Sequence, residues 1–304
     1  MKTCIASFLG LTAAAALACA AAVVSPPASP SVSAGGNSFN PVFSADGQKL
    51  VFVSHANNLV TNDDLGLWLD VFVRDLVTSN TVLMSVSTNG TGGANWDANY
   101  PTVSANGQFI AFASRASNLV PGDTNDAVDV FVRDVVAGTT RLVSVDVNGN
   151  APADPNLSSI IPLAGNPMIS ADGRYVFFES RATTLTADSV TTGDVHLYRR
   201  DLSSNTTVRA SALASASPAT IQHELGSITP DGAFAAYSRR TNSGVNGDAL
   251  VHNLNSGTST PASGSVASFL PSGYRASSPV LSDDGHYVAF YATSTSTTPH
   301  ALGR

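Results

Sequence analysis

The 304-residue sequence has little charge and almost no lysine. Charged residues make up 12 % of it, about half the share of an average soluble domain. Lys2 and Lys49 are the only lysines, and the formal net charge is −7. Affinity for nucleic acid comes mostly from clustered Lys and Arg, so this composition argues against a nucleic-acid partner.

Cysteine is nearly absent, and both residues lie close to the N-terminus, at Cys4 and Cys19. An apolar, alanine-rich run from Cys4 to Ala22 follows the positive start Met1-Lys2-Thr3, which is typical of a secretory signal. We predict a signal peptide over residues 1–22. Cleavage there would exclude disulfides, thiol chemistry and cysteine-held zinc from the folded part.

Two alternatives to a cleaved signal remain open at this stage. A membrane anchor is one, but the run has no flanking stop-transfer charge and meets Pro26-Pro27 directly, so no membrane span is expected after cleavage. The other is a lipoprotein, because Ala16-Leu17-Ala18-Cys19 is close to a bacterial lipobox, with Cys19 as the lipidated residue.

The usual enzyme motifs are also missing. The sequence has no G-x-S-x-G, no phosphate loop and no dinucleotide fingerprint, and His223-Glu224 lacks the second histidine of a zinc-protease motif. We therefore expect no catalytic residues and no cofactor, apart from the calcium considered below. The alternative is an enzyme that uses a central channel.

What the sequence does contain is an internal repeat. PTVSANGQFIAFASRASNLV from Pro101 recurs as PVFSADGQKLVFVSHANNLV from Pro41 and as PMISADGRYVFFESRATTLT from Pro167. Weaker copies start near Gly226 and at Pro279. One glycine marks each copy, at intervals of 60, 66, 59 and 53 residues: Gly47, Gly107, Gly173, Gly232 and Gly285.

Each copy predicts four short antiparallel strands. Asp-Gly or Asn-Gly turns strand A into strand B, which is apolar at nearly every position and so must be covered on both faces. Strand C reads DVFVRD in the first two copies, and a second turn leads into strand D. We place that turn at Asn80, Gly138, Asn205 and Gly257. Repeated four-stranded units packed on both faces predict an all-β fold, a β-propeller of about five blades.

The domain boundaries follow from the repeat. Residues 23–37 are predicted as a Pro/Ser linker with a closing strand at Ser31-Val32-Ser33, and residues 38–304 as the propeller. The last blade is either incomplete or closed by that N-terminal strand. The blades are expected near residues 41–87, 101–147, 167–213, 226–262 and 279–304. Surface loops are expected over 151–166, 215–225 and 261–278.

At these residues the sequence resembles the TolB-like, WD40-like propeller repeats, whose core reads roughly P-x-x-S-x-D-G-x-x-[IV]-A-F-x-S, followed by a [DN]-[IV]-[FY]-V-x-D strand. The resemblance is close over Pro41–Ser87, Pro101–Val147 and Pro167–Leu213. It implies a bacterial exported protein, periplasmic or secreted, whose propeller is a protein-interaction scaffold.

The loop PGDTNDAVD places oxygen-bearing side chains at alternating positions, as calcium loops do. Asp123, Asn125 and Asp129 are the candidate calcium ligands. Turn chemistry of Asp and Asn is the competing explanation, because Ala127 stands where a third ligand would be expected.

A set of polar residues ends strand B in successive copies: His55, Arg115, Arg181 and Arg240. We predict that they form a partner-binding rim. Asp70, Asp129, His196 and Asp248 open strand C, and the pattern predicts Arg–Asp pairs within a blade or across to its neighbour. Because the pattern recurs from copy to copy, a structural role for these residues is favoured over partner binding. Glu179 interrupts an apolar strand and is expected either to face the channel or to pair with Arg181.

The function we expect from the sequence is a non-catalytic scaffold, active as a monomer, that binds a protein or an envelope glycan. The alternative is a lyase or hydrolase that acts on polysaccharide through the central channel.

Overall fold

The computed structural model describes residues 34–62, 66–152, 164–188, 190–211, 221–241, 247–263 and 274–294. All of them belong to one compact unit, Ala34–Arg304. The predicted signal peptide, the lipidation site at Cys19 and the closing strand at Ser31–Ser33 lie outside the described residues. No helix within them has the length and hydrophobicity needed to cross a bilayer.

The strands form sheets that correspond to the repeats. The first blade is β1 (Ser38–Phe43), β2 (Lys49–Ser54), β3 (Asp70–Asp75) and β4 (Thr81–Leu83). The second is β5 (Ala98–Val103), β6 (Phe109–Ser114), β7 (Asp129–Asp134) and β8 (Thr139–Leu142). The third is β9 (Ala164–Ile169), β10 (Tyr175–Ser180), β11 (His196–Asp201) and β12 (Thr206–Arg209).

The fourth blade is β13 (Ile221–Ile228), β14 (Phe234–Thr241), β15 (Gly247–Asn253) and β16 (Thr258–Pro261). The fifth repeat contributes β17 (Tyr274–Leu281) and β18 (Val288–Ser294). One parallel pairing, between Gly247 and Arg275, joins β15 to β17. Neighbouring strands within each blade pair antiparallel, as the repeat predicted.

Strand A begins earlier than the sequence indicated, so the ends of the three predicted surface loops belong to strands β9, β13 and β17. The cause is a bulge in strand A, at the position where four of the five copies have a proline and the fourth copy has Gly226. The residue before the proline has a left-handed backbone in four blades: Asn40, Tyr100, Asn166 and Ser278. A pattern search that starts at the proline therefore misses the half of the strand that precedes the bulge.

The first turn of each blade is stabilised by the S-x-D-G residues themselves. In the first blade, the Ser44 hydroxyl donates to Asp46 Oδ1 at 2.5 Å and accepts from the Lys49 N–H at 2.9 Å. Asp46 also accepts from the Gln48 N–H, and Gly47 has a φ of 67°. The other four turns repeat these bonds. The motif is thus explained by turn chemistry.

The second turn differs from the prediction in the first blade. Its left-handed residue is Ser79, four residues after the last residue of strand C, and the prediction of Asn80 is wrong by one position. Gly138, Asn205 and Gly257 have the predicted positive φ.

Strand B forms the core of each of the first three blades, with Val53, Phe112 and Phe178 fully buried. Successive blades interlock because the second residue after each turn glycine packs on the turn glycine of the next blade. A Cβ on Gly232 would lie 2.8 Å from Tyr175, for example. β18 is the exception to two-sided burial, since Tyr291 is 71 % exposed.

Candidate functional site

A cleft of about 420 Å³ opens where strands A and B of the second, third and fourth blades meet. Large polar and charged side chains line it, in contrast to the apolar core of the blades: Tyr100, Asn166, Glu179, His223, Glu224 and Arg240. These belong to β5, β9, β10, β13 and β14.

The cleft is where the repeat loses its symmetry. His223 aligns with Ser38, Ala98 and Ala276 of other blades, and Glu179 aligns with Val53 and Ala113. A position that is serine or alanine in the other blades thus carries a histidine here, and one that is valine or alanine in the first two blades carries a carboxylate. Structural needs of the fold are shared by all blades, so these departures indicate function.

Glu179 joins the third blade to the fourth. Its Oε1 accepts from the Leu225 N–H at 2.7 Å and from Asn166 Nδ2 at 2.8 Å. Burial raises the pKa of this carboxyl, although both hydrogen bonds act in the opposite direction. The predicted pairing with Arg181 is wrong, because the bulged strand brings Asn166 and Leu225 to the carboxylate first. The other interpretation was a carboxylate that faces the channel. Glu179 lines the cleft, which is consistent with that interpretation.

His223 and His196 form a buried pair with ring centroids 5.3 Å apart. His223 Nδ1 donates to the Val195 carbonyl at 2.9 Å, so its Nε2 carries the lone pair. That Nε2 is buried and has no hydrogen-bond partner among the described residues. The pKa of His223 is lowered to about 3, mainly by burial and secondly by the neighbouring His196. The cleft therefore has a neutral histidine with an unused acceptor in its wall.

Glu224 and Arg240 form an ion pair at the mouth of the cleft, with Oε2 and Nη2 2.8 Å apart. Both side chains are partly exposed, so the pair contributes little to stability and is accessible to a ligand. Together with Glu179, the pair leaves one more acidic group than basic groups among these three residues.

The four predicted rim residues lie at the same end of their blades, but the described contacts do not join them in one cluster. Arg240 alone of the four lines the cleft. Arg115 pairs with Asp126 at 2.9 Å, and His55 Nδ1 lies 3.1 Å from the Leu67 carbonyl. Arg181 is buried, with 6 % of its surface exposed. Partner binding by this set remains a prediction.

A serine side chain contacts the residue that opens strand C in each of the first three blades. Ser85 donates to Asp70 at 2.5 Å and Ser144 donates to Asp129 at 2.6 Å, while each hydroxyl also accepts from the N–H that follows the aspartate. In the third blade, Ser211 lies 3.3 Å from His196 Nδ1. In the fourth blade, Asp248 forms an ion pair with Arg239, the neighbour of the predicted Arg240, at 2.8 Å. Pairing of Asp70 and Asp129 with the rim arginines remains a prediction.

The candidate calcium loop has internal hydrogen bonds. Asn125 Nδ2 donates to Asp129 Oδ2 at 2.7 Å, and its Oδ1 accepts from the Ala127 N–H. Asp123 is buried, which raises its pKa to about 6. Nowhere in the described part of the chain do three Asp, Glu, His or Cys side chains converge as a metal site would require. Calcium binding through Asp123, Asn125 and Asp129 remains a prediction.

Sequence reasoning missed Asn166 as a site residue, and it named His223 only among four histidines that could converge at a channel mouth: His55, His223, His252 and His286. Aligning the five copies position by position would have found the histidine, because no other copy has one there. Asn166 was hidden because it precedes the proline at which each repeat was taken to begin.

No family model matches the sequence, and no curated protein does either. Among solved structures, TolB from Acinetobacter baumannii is similar at 16 % identity and a TM-score of 0.47, over 85 % of this chain and 55 % of that one. A prolyl endopeptidase is similar at 13 % identity and a TM-score of 0.52, over 84 % and 32 %. An oligogalacturonate lyase in complex with manganese is similar at 14 % identity and a TM-score of 0.45, over 75 % and 54 %.

The chain has a β-propeller fold. The predicted all-β class and the resemblance to TolB-like propellers are confirmed at the level of fold. At these identities the similarity carries no information on activity, and the propeller spans about half or less of the length of each matched chain.

Proposed function

We propose that this propeller is an exported, non-catalytic binding module, and that the cleft on the second to fourth blades holds a basic side chain of a protein partner. The single observation that supports this is the loss of repeat symmetry at the cleft, where His223 stands in place of the serine or alanine of the other copies and Glu179 in place of Val53 and Ala113.

The chemistry of the lining favours a cationic group. Glu179 has one oxygen bonded to the protein, and burial raises its pKa, so a cationic group beside it would stabilise its charged form. His223 offers a lone pair and no proton, and Glu224 accepts from one arginine. A lysine or arginine of a partner would donate to the Glu179 and Glu224 carboxylates, with no charge on the buried histidine to repel it. The net charge of −7 would add long-range attraction for such a partner.

The test is site-specific photo-crosslinking in envelope extract. A photoreactive phenylalanine analogue replaces Tyr100, which is 59 % exposed and lines the cleft, or Tyr287, which is 75 % exposed and lies outside it. We expect one dominant protein crosslinked from position 100 and not from position 287, and we expect its loss in Glu224→Ala. Parallel samples with calcium and with EDTA address the predicted calcium loop. Identical products from both positions, or none, would contradict the proposal.

The second candidate is an enzyme acting on polysaccharide, and it rests on the raised pKa of Glu179 in a cleft, a property that acid catalysts share. Incubation of the full chain with polygalacturonate and other acidic polysaccharides tests it. Release of shorter or unsaturated sugars that stops in Glu179→Gln would favour the enzyme over the binding module.

A further inference from the structure

Trp68 and Trp96 are the only tryptophans of the chain, and they stack on each other at the junction of the first and second blades. Their ring centroids are 4.4 Å apart with an interplanar angle of 20°. The stack is not buried, since 37 % of Trp68 and 41 % of Trp96 are exposed. Tryptophans placed for stability alone bury more of their surface, so this exposed pair needs another explanation.

The backbone holds the two rings in place from below. The Leu69 N–H, next to Trp68, donates to Asp97 Oδ1 at 2.8 Å. The Ala98 N–H, two residues after Trp96, donates to the Leu69 carbonyl at 2.7 Å. The rings therefore project from two segments that are hydrogen-bonded to each other, and they are positioned before any ligand arrives.

The fold does not require this stack. At the junction of the third and fourth blades, the His223 N–H donates to the Val195 carbonyl, as Ala98 does to Leu69. The positions that correspond to Trp68 and Trp96 are there Asp194 and Ile221, both buried and joined by a backbone-to-carboxylate hydrogen bond of 2.8 Å. The same junction is thus built without aromatic rings.

Arg115 extends the surface on the second-blade side, with its guanidinium 5.1 Å from the centre of a Trp96 ring. The Arg115 charge is already balanced by Asp126 at 2.9 Å. Asn95 directly precedes Trp96, Ser117 follows Arg115 by two positions, and the two exchange hydrogen bonds of 3.0 and 3.1 Å. Neither indole N–H donates to another group in the described part of the chain.

We propose that Trp68, Trp96 and Arg115 form a binding platform for a neutral saccharide. A pyranose ring presents an apolar C–H face that stacks on indole, and hydroxyl groups at its edge that pair with indole N–H groups, amides and carboxylates. The balanced charge of Arg115 favours a neutral sugar over a uronic acid. The platform is separate from the cleft, and it gives the envelope glycan predicted from the sequence a defined place.

Both tryptophans lie in the platform, so intrinsic fluorescence reports on it directly. The full chain is titrated with cellohexaose, chitohexaose, a polygalacturonate oligomer and a deca-proline peptide. We expect a saturable change in emission with at least one neutral hexasaccharide, and roughly tenfold weaker binding in Trp68→Ala by calorimetry. Tyr287→Ala, another exposed aromatic, is the matched control and should bind as the unmodified chain does.

Three results would overturn the platform: no saturable response to either neutral hexasaccharide, equal affinity of the unmodified chain and Trp68→Ala, or tighter binding of deca-proline or the uronate oligomer. Circular dichroism of each variant separates lost binding from lost folding. The proposed function fails separately, because its crosslinks arise at Tyr100 and depend on Glu224.

Discussion

The Glu179 carboxylate of the third blade accepts a hydrogen bond of 2.7 Å from the Leu225 N–H of the fourth. A second bond comes from Asn166 in its own blade. One side chain thus satisfies two donors at the blade junction, in a place where burial penalises its charge. The stability of the junction should depend on the oxygen atom, and not on the charge.

Glu179→Ala should lower the free energy of unfolding by about 2–4 kcal/mol, because the Leu225 N–H loses its acceptor and Asn166 keeps only its longer bond to the Leu225 carbonyl. Glu179→Gln keeps an oxygen at the same place, and we expect a loss of less than about 1 kcal/mol. Equilibrium unfolding in urea measures both. Equal losses in the two variants would show that the charge matters after all.

Gly232→Ala should destabilise the protein more than Gly257→Ala does. Both glycines have a φ near 70°, so both substitutions carry the strain of a left-handed alanine, about 1 kcal/mol. A Cβ on Gly232 would also lie 2.8 Å from Tyr175 of the preceding blade, whereas nothing lies within 4 Å at Gly257. We expect an additional loss of about 1–3 kcal/mol at Gly232. Thermal unfolding of the pair isolates the contact between blades, and identical melting temperatures would refute it.

Acid should destabilise the protein through His223. The folded state holds the pKa of His223 at about 3, against 6.5 for the unperturbed group, so the unfolded chain takes up a proton that the folded chain resists. Stability therefore falls as the pH drops from about 6.5 towards 3. In His223→Gln this loss should be smaller. His55→Gln, on the rim, serves as the control, and a variant at position 223 whose stability follows that of the unmodified chain across this pH range would contradict the assignment.

Asp123 should act in the opposite direction. Its pKa is raised from 3.8 to about 6 by burial, so the folded state holds a proton that the unfolded chain releases. The stabilisation is present at low pH and is lost as the pH rises from about 4 to about 6. Relative to Asp123→Asn, the unmodified chain should lose stability over this interval. Thermal unfolding at several pH values tests this, and parallel curves would count against a buried acid.

The calcium prediction has its own test at the same residue. Binding would require Asp123 to be ionised and Asn125 to release Asp129. If the loop binds calcium, about 1 mM of the ion should raise the unfolding temperature of the unmodified chain and not that of Asp123→Asn. The absence of any shift would leave turn chemistry as the explanation of the loop.

Most of the fold could be predicted from hydrogen bonds between residues that are close in sequence. The S-x-D-G turns depend on bonds between residues at most five positions apart, such as Ser44 and Lys49, and their repetition located every strand A–strand B turn. The errors were equally local. The left-handed residue of the first-blade turn is Ser79 and not the predicted Asn80, because that turn differs in sequence from the others. Strand A was predicted too short, because the residue before the proline, which lies inside a bulge, resembles the start of a strand.

The sequence by itself determined the propeller class, the positions of the turn glycines and the approximate bounds of the blades. These follow from short-range hydrogen bonds and from a sequence pattern that recurs in every copy of the repeat. Only the tertiary structure decided which side chains meet between blades. Trp68 stacks on Trp96, the His196 ring lies beside that of His223, and Glu179 accepts a hydrogen bond from Leu225, across separations of 27 to 46 residues. Such contacts depend on how one blade is rotated against the next, a quantity set by packing over the whole interface and not encoded in any single segment.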